Sequence, residues 1–550
     1  MAGIRRRFDA VAATRKLELV RRLERTTVTS AGDLEKYHDT LCYLRAFPDS
    51  EALFHAAHDQ LMSFGKRVAR LGRANRERLW DTGIAGTRLH YPFSYEVANW
   101  LAKHARGQVS IDWQEIDSDT GRLDELLTLC LLPVEADYFD SGCVSSQEWI
   151  EIVSREFGGT DFDWLLAQLG EQPAAKALPM LYESADLPLA WTLDNSRFSK
   201  STNALPPKSI ANRSDGMRKA ARNPKAEIQR PLACLPRLPV QEGRRLIDLA
   251  IASLAVRHRE TLHFNCANPA EVFLAGVGHG ASVAVFGLRE ACRYPLECTM
   301  GYLILSNGVP IGYGGASIFF RQANTGVNIF DEYRGAEAAF LWVQVMRVYH
   351  HLVGCTRFIA NPFQFGAEND EALKSGAYWF YYRLGYRSVS PAIGKLATRE
   401  YEKLRRNPQY RSSTSTLRRL ASCDMHLTLP SSRAKEFFDE DGFEVASMLA
   451  TVVLGAAGGR RRRDAESRVV TRAAAAIGIR NFETWSRFEK DAFRQLAPIL
   501  VALAPESWPA REKKLTRALA RAKGGTLESR YAKLLSRHEF LFSRLQAACQ

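Results

Sequence analysis

Five short β-type runs follow one another in the middle of the chain: Glu271–Ala275, Ser282–Phe286, Met300–Leu305, Val309–Phe320 and Gly326–Phe330. Between the third and fourth stands Asn307-Gly308, a dipeptide that supplies the two positive-φ positions of a tight hairpin turn. A long apolar helix is expected next, Ala338–Leu352, then a strand over Thr356–Ala360, a helix from about Glu371 to Leu384 and a last strand near Tyr386. Strands that precede and follow helices in this way share a layer with them, so this part of the chain reads as α+β or α/β.

On both sides of that segment the period changes. Phe54, Ala57, Leu61, Phe64, Val68 and Leu71 recur at steps of three and four, which makes one apolar face of a helix. Leu123, Leu126, Leu127 and Leu131 do the same, with Pro133 as the stop. Residues 1–195 therefore read as a mainly helical domain. Within it Trp80–Thr87 and His90–Ser94 are rich in turn formers and aromatics. They read as a packed connection between helices, with a binding loop as the alternative. From Ser196 to Lys225 eight basic residues stand against one acid, Asp215, among Ser, Asn and Pro. The stretch 196–238 reads as a basic linker or mobile loop. The α+β domain covers 239–395, and 396–550 is a helical C-terminal region with helical spacing at Leu527, Tyr531, Leu534, Leu535, Leu541 and Leu545.

Charge and cysteine content narrow the classes of function. The chain has 75 basic and 61 acidic residues, a net +14. That excess invites an anionic partner such as nucleic acid, a phosphate-bearing cofactor or an anionic membrane, without choosing among them. The ten cysteines include no CxxC pair, which leaves thiolate zinc sites and thioredoxin-like chemistry without support. They read as reduced, mostly buried thiols, and no metal is expected. No span reaches the roughly 20 apolar residues of a membrane helix; Met448–Leu454 comes nearest and runs into Gly455 and Arg460–Arg463. The basic start Met1–Arg7 lacks the apolar core of a signal peptide, so a cytoplasmic protein is expected. HExxH, GxSxG and GxxxxGK[ST] are all absent, and with them the sequence mechanisms of zinc protease, hydrolase and P-loop ATPase. Gly276–Ala281 fits GxGxxA, but that fingerprint needs a helix to follow and Ser282–Phe286 is strand-like. It reads as a glycine-rich hairpin with His279 in its loop.

One constellation carries chemistry. After Phe330 come Asp331-Glu332-Tyr333-Arg334-Gly335-Ala336-Glu337-Ala338-Ala339, and then the long helix. Small residues at a strand-to-helix turn let backbone N–H groups crowd around an anion, and the helix start adds partial positive charge. Here the chain resembles the GNAT superfamily of N-acetyltransferases, over about residues 240–392. In that superfamily the loop after the fourth strand reads R/Q-x-x-G-x-G/A, and its amides bind the pyrophosphate of acyl-coenzyme A. Arg334 to Ala339 aligns with it: Arg334 and Ala339 match, while Glu337 stands at the central glycine. That departure removes a close backbone approach and brings a carboxylate near the phosphates. The superfamily's asparagine after the next strand matches Asn361, with Asn369 as a second candidate, and its closing Y-x-x-L-G-F-like run matches Tyr381–Tyr386.

The resemblance implies a mixed sheet with helices on both faces, flanked here by helical domains. It implies cofactor binding by Phe330, Arg334, Gly335, Ala336, Glu337, Ala338, Ala339, Asn361 and Asn369. It also implies direct acyl transfer from acetyl-coenzyme A, or another acyl-coenzyme A, to an unidentified amine. A base takes the amine's proton, and a tyrosine protonates the departing thiolate. Tyr381 stands in that tyrosine's place, with Tyr382 beside it; Glu297, Glu332 and Asp331 are candidate bases. The other reading is an inactive scaffold of the same fold that binds nucleic acid or a protein partner through its basic helical flanks. Glu337 favours it, and no nucleic-acid motif supports it.

Overall fold

In the computed structural model the region 1–195 is mainly helical and also carries a sheet; the helix expected through Phe54–Leu71 is two, Glu51–Met62 and Gly65–Ala69, and the helix through Leu123 ends at Leu127, with Pro133 opening the next one rather than stopping it. β1 (Arg88–His90), β2 (Val109–Ile111) and β3 (Leu189–Thr192) pair antiparallel in the order β1-β3-β2. Each is three or four residues long, too short to print alternation on the sequence. Leu89, Val109, Ile111, Leu189 and Trp191 are buried on one face of it. The structure describes residues 3–116, 121–140, 144–172, 177–194, 197–335, 337–430, 432, 437–438 and 442–549.

The chain forms two compact units. One comprises Met1–Gly216, Arg245–Asn265 and Ser306–Pro310; the other comprises Met217–Arg244, Cys266–Leu305 and Ile311–Gln550. The expected limits at 195, 238 and 395 are therefore not the limits of units. Over 197–238 most residues are exposed or half-buried, as expected of a basic linker, but the stretch is anchored at buried points such as Arg213 and Ile228. Arg213 is 1% exposed, donates to the Ala211 carbonyl (3.1 Å) and the Ser306 hydroxyl (3.2 Å), and lies 5.4 Å over the Phe47 ring. Further on, the helix Pro224–Gln229 packs on the helix Ala338–Val353. There Glu227 accepts from Gln344 (2.9 Å), and Arg347 donates to the Arg230 carbonyl (2.8 Å). An arginine buries readily once its donors find acceptors, so a count of basic residues does not measure solvation.

The second unit is mixed α/β with a large mixed sheet. β4 (Ala267–Gly278) and β5 (Ala281–Leu288) pair through the expected glycine-rich hairpin, with His279 at φ 53°. β6 (Cys298–Ser306) and β7 (Val309–Phe319) are joined by Asn307 and Gly308 at φ 47° and 77°, the turn their residue types dictate. β8 (Gln322–Thr325) and β9 (Asn328–Ile329) replace the single run expected over Gly326–Phe330, because the ladder breaks at Gly326 and Val327. β10 (Arg357–Ala360), β11 (Arg387–Ser388) and β12 (Met425–Thr428) complete nine strands in the order β11-β12-β10-β8-β7-β6-β5-β4, with β9 on β7. β12 lies in the region expected to be helical. It enters between β10 and β11 and pairs antiparallel with both. The helix expected over 371–384 is two helices, Asp370–Ser375 and Ala377–Arg383, parted by Gly376 at φ 66°.

The helix Ala338–Val353 is buried nearly all round; Trp342, Met346 and Tyr349 are fully enclosed, each such side chain contributing about 1.5–3 kcal/mol. Gly354, at φ 83°, ends it. Among the described residues no helix is long and apolar enough to cross a membrane. Met448–Leu454 lies within the helix Gly442–Ala456.

One buried histidine makes this unit acid-sensitive. His538 accepts from the Leu541 N–H at Nδ1 (3.3 Å), so its proton sits on Nε2, 2.9 Å from the Thr516 hydroxyl. Burial lowers its pKa from 6.5 to about 4. The folded state therefore holds the neutral ring, and the stabilisation is complete above pH 6.5 and lost as the pH falls toward 4. Urea unfolding is expected to show roughly 3 kcal/mol of lost stability over that window. His538→Gln should remove that increment from the pH profile.

Candidate functional site

β8 and β10 run parallel, with Gln322 opposite Arg357, Ala323 opposite Phe358 and Asn324 opposite Ile359. The pairing ends there. Gly326 and Val327 leave the ladder, and the chain joins β7 again as β9, with Ile329 opposite Gly312. β10 ends at Ala360 and turns through Asn361. The parted backbone is held by side chains. The Tyr302 hydroxyl donates to the Gly326 carbonyl (2.5 Å), and the Gln364 carboxamide lies where a Cβ on residue 326 would stand. The Val327 N–H points at the Tyr381 hydroxyl.

The chain then enters the loop expected to bind an anion. Phe330 is buried, stacks on Tyr313 at 5.5 Å and donates its N–H to the Ile311 carbonyl (3.0 Å). Asp331–Tyr333 makes one tight turn in which Glu332 is buried. Gly335 takes φ 78°, a conformation that favours glycine. Ala336 lies outside the described residues. The helix Ala338–Val353 starts at Ala338, and its N-cap residue Glu337 makes no side-chain capping hydrogen bond.

Two side chains differ from what the resemblance implies. The Arg334 guanidinium is bracketed by Asp331 (2.8 Å) and Glu371, so its charge is taken up by two carboxylates. Glu337 is 1% exposed, and its carboxylate accepts the Arg218 N–H at 2.8 Å. The carboxylate expected among phosphates is thus bound to the backbone at Arg218.

Tyr381 is buried among the rings of Tyr386 (5.3 Å), Phe365 (6.1 Å) and Trp342 (6.4 Å). Burial pushes its phenol well above the usual range, against the pull of the Val327 N–H, so it is a proton donor rather than an anion. Tyr382 points elsewhere, as adjacent residues on a helix do. It packs against Trp379 (5.5 Å) and Tyr401 (4.9 Å), with the Arg387 guanidinium 4.2 Å over its ring. Asn361 is half-buried, and its Oδ1 is enclosed with no hydrogen-bond partner. Asn369 is committed to the fold: Oδ1 caps the next helix through the Ala372 N–H, and Nδ2 donates to the Phe363 carbonyl, both at 3.0 Å. The Glu297 carboxylate accepts from the hydroxyls of Ser317 and Thr299, and its carbonyl accepts from Lys523.

The structure therefore gathers Phe330–Gly335, the start of the helix Ala338–Val353, Asn361 and Tyr381 near the parting of β8 and β10, and engages Tyr382, Asn369 and Glu297 elsewhere. It adds residues that the sequence reading missed: Gly326, Val327, Gln364 and the backbone of Arg218. Only Gly326 left a signal, since a glycine within a strand-like run marks a bulge or a close approach. No protein family, curated protein or solved structure matches this chain.

Proposed function

We propose that the second unit binds an acyl-coenzyme A and transfers its acyl group, acetyl in the simplest case, to an amine acceptor. The observation that carries this reading is the parting of β8 from β10 beside the uncapped start of the helix Ala338–Val353. Parallel strands that separate open a crevice at their carboxyl ends, and main-chain amides with a helix N-terminus suit a pyrophosphate there. Asn361 supports it, because an enclosed oxygen without a donor is costly unless a ligand supplies one. Tyr381 supplies the protonated phenol that a departing thiolate needs, and Glu332, buried in the same loop, is a candidate base beside Asp331 and Glu297.

Calorimetric titration of the full chain with acetyl-coenzyme A tests the reading. Saturable binding with Kd of about 100 μM or tighter is expected, and Asn361→Leu should weaken it about tenfold. No heat of binding at about 1 mM ligand overturns it.

The pairing of Arg334 with Asp331 and Glu371 favours the second reading, a scaffold without catalysis that binds nucleic acid. Lys403, Arg405, Arg406, Arg411, Arg418 and Arg419 are exposed along one stretch that holds no acid. Affinity for DNA or RNA should then fall steeply with salt in an anisotropy titration, and salt-insensitive or absent binding removes this reading.

A further inference from the structure

The first unit contains an open cleft of about 810 Å³ that the acyltransferase reading does not use. Its floor is the polar face of the sheet β1-β3-β2. The register sets His90, Ala190 and Ser110 in one row across the three strands. Side chains alternate between the faces of a strand, so Arg88, His90, Ser110 and Asp112 share this side while Leu89, Val109, Ile111 and Trp191 fill the core on the other. Ala190, in the middle of the row, leaves the floor low. The lining continues with Trp80 and Tyr91, beside β1, with Trp113, Gln114 and Glu115, which follow β2 in the chain, and with Gln147. A solvated sheet face is ordinary; one sunk between two indoles is a container.

The floor is fixed before any ligand arrives. Asp81 is held at φ 64°, a conformation a non-glycine residue adopts only when its surroundings enforce it. Its Oδ1 accepts the His90 N–H at 2.7 Å and lies 3.1 Å from Nδ1, so it sets the tautomer and turns Nε2 toward Asp112 at 3.8 Å. Trp113 is anchored through Nε1 to Asp161 at 2.7 Å, which fixes the plane of its ring.

The lining decides the class of ligand. Three carboxylates (Asp81, Asp112, Glu115) outnumber the one guanidinium, which disfavours an anion. An organic cation would seek the face of an indole; the Arg88 guanidinium already lies 5.6 Å over Trp80, so a cation would compete with a sugar ring for Trp113 alone. The lining also holds planar side chains able to make paired hydrogen bonds beside flat aromatic surface, Asp112, Glu115, Gln114 and Arg88, together with Gln147, whose Nε2 also donates to Glu151 at 2.9 Å. Hydroxyl groups that both donate and accept, carried on a ring with apolar faces, match such a lining. The volume lies within the ~300–1,000 Å³ typical of small-molecule sites. We infer that this cleft binds a saccharide, with the ring stacked on Trp113 and hydroxyls held by Glu115, Gln147 and Asp112.

Calorimetry and saturation-transfer NMR on the full chain with cellobiose, maltose and N,N′-diacetylchitobiose test the inference, with spermidine and inorganic phosphate as competing chemistries. At least one disaccharide should bind with Kd of about 1 mM or tighter. Glu115→Gln and Gln147→Ala, both at exposed positions, should each weaken it about tenfold with thermal unfolding unchanged, and Trp113→Ala should abolish it. Absence of binding by all three disaccharides at about 10 mM overturns the inference. So does disaccharide binding that survives both polar variants, or a preference for spermidine or phosphate. Coenzyme A binding by the second unit is a separate measurement, so either result stands without the other.

Discussion

Replacing Arg293 by alanine is expected to lower the stability of the second unit by about 3–5 kcal/mol. Four charged side chains meet there out of water: Arg293, Glu271, Lys523 and Glu528, each no more than 2% exposed at the side chain. Arg293 donates to the carbonyls of Leu288 (3.0 Å), Lys523 (2.9 Å) and Thr526 (3.0 Å), and to that of Gly525, closing the end of the helix Ala510–Lys523. Its guanidinium lies 3.7 Å from Glu271 and from Glu528. Glu271 in turn caps the helix Glu528–Leu535 by accepting the N–H groups of Glu528 and Ser529, both at 2.7 Å. Lys523 reaches Glu528 at 2.8 Å. Two cations balance two anions, so no net charge is buried. Alanine at 293 leaves two carboxylates facing one ammonium and strips the helix-end carbonyls of their donor. Both effects act in a region where water cannot compensate. Chemical denaturation should show the loss, and Arg293→Met combined with Glu271→Gln should recover part of it by removing the unbalanced charge. A loss under about 1 kcal/mol would mean that water screens the cluster.

Tyr381→Phe is expected to lower the rate of acyl transfer by about 10²–10⁴-fold, the contribution of a positioned general acid. Steady-state release of the coenzyme A thiol reads it. The phenol's raised pKa carries a sign: it stays protonated beyond the ordinary tyrosine value of 10.0, so the rate should show no alkaline limb from its loss of a proton. Affinity for acetyl-coenzyme A and the thermal midpoint should change little, because the ring and its packing against Trp342 and Tyr386 remain. Tyr382→Phe should change the rate by less than about threefold, since that ring packs on Trp379 and Tyr401. Equal effects of the two changes would show that both act through packing rather than through a proton.

The candidate site was legible in part. The loop after Phe330 and the tyrosine run could be found because small residues, glycine and a following apolar helix leave local marks. Asn361 and Asn369 were indistinguishable in sequence. Only the structure separates an asparagine whose oxygen lacks a partner from one that caps a helix. The contact of Glu337 with Arg218 spans more than a hundred positions and leaves no local trace. The cleft of the first unit was hidden for a similar reason. Trp80–Ser94 read as a connection because three strands of three or four residues carry too little alternation to be seen, and their pairing joins residues about a hundred positions apart.

By itself the sequence determined what depends on neighbouring residues. The Asn307-Gly308 turn, the glycine-rich hairpin at His279 and the long helix after Glu337 follow from backbone preferences that act over a few positions. Tertiary structure alone decided the parallel pairing of β8 with β10, the entry of β12 between β10 and β11, and the removal of Arg213, Arg293 and Lys523 from water. Pairing and burial are set by whichever surfaces meet in the folded chain, and a charged side chain is identical in sequence whether it faces solvent or a buried carboxylate.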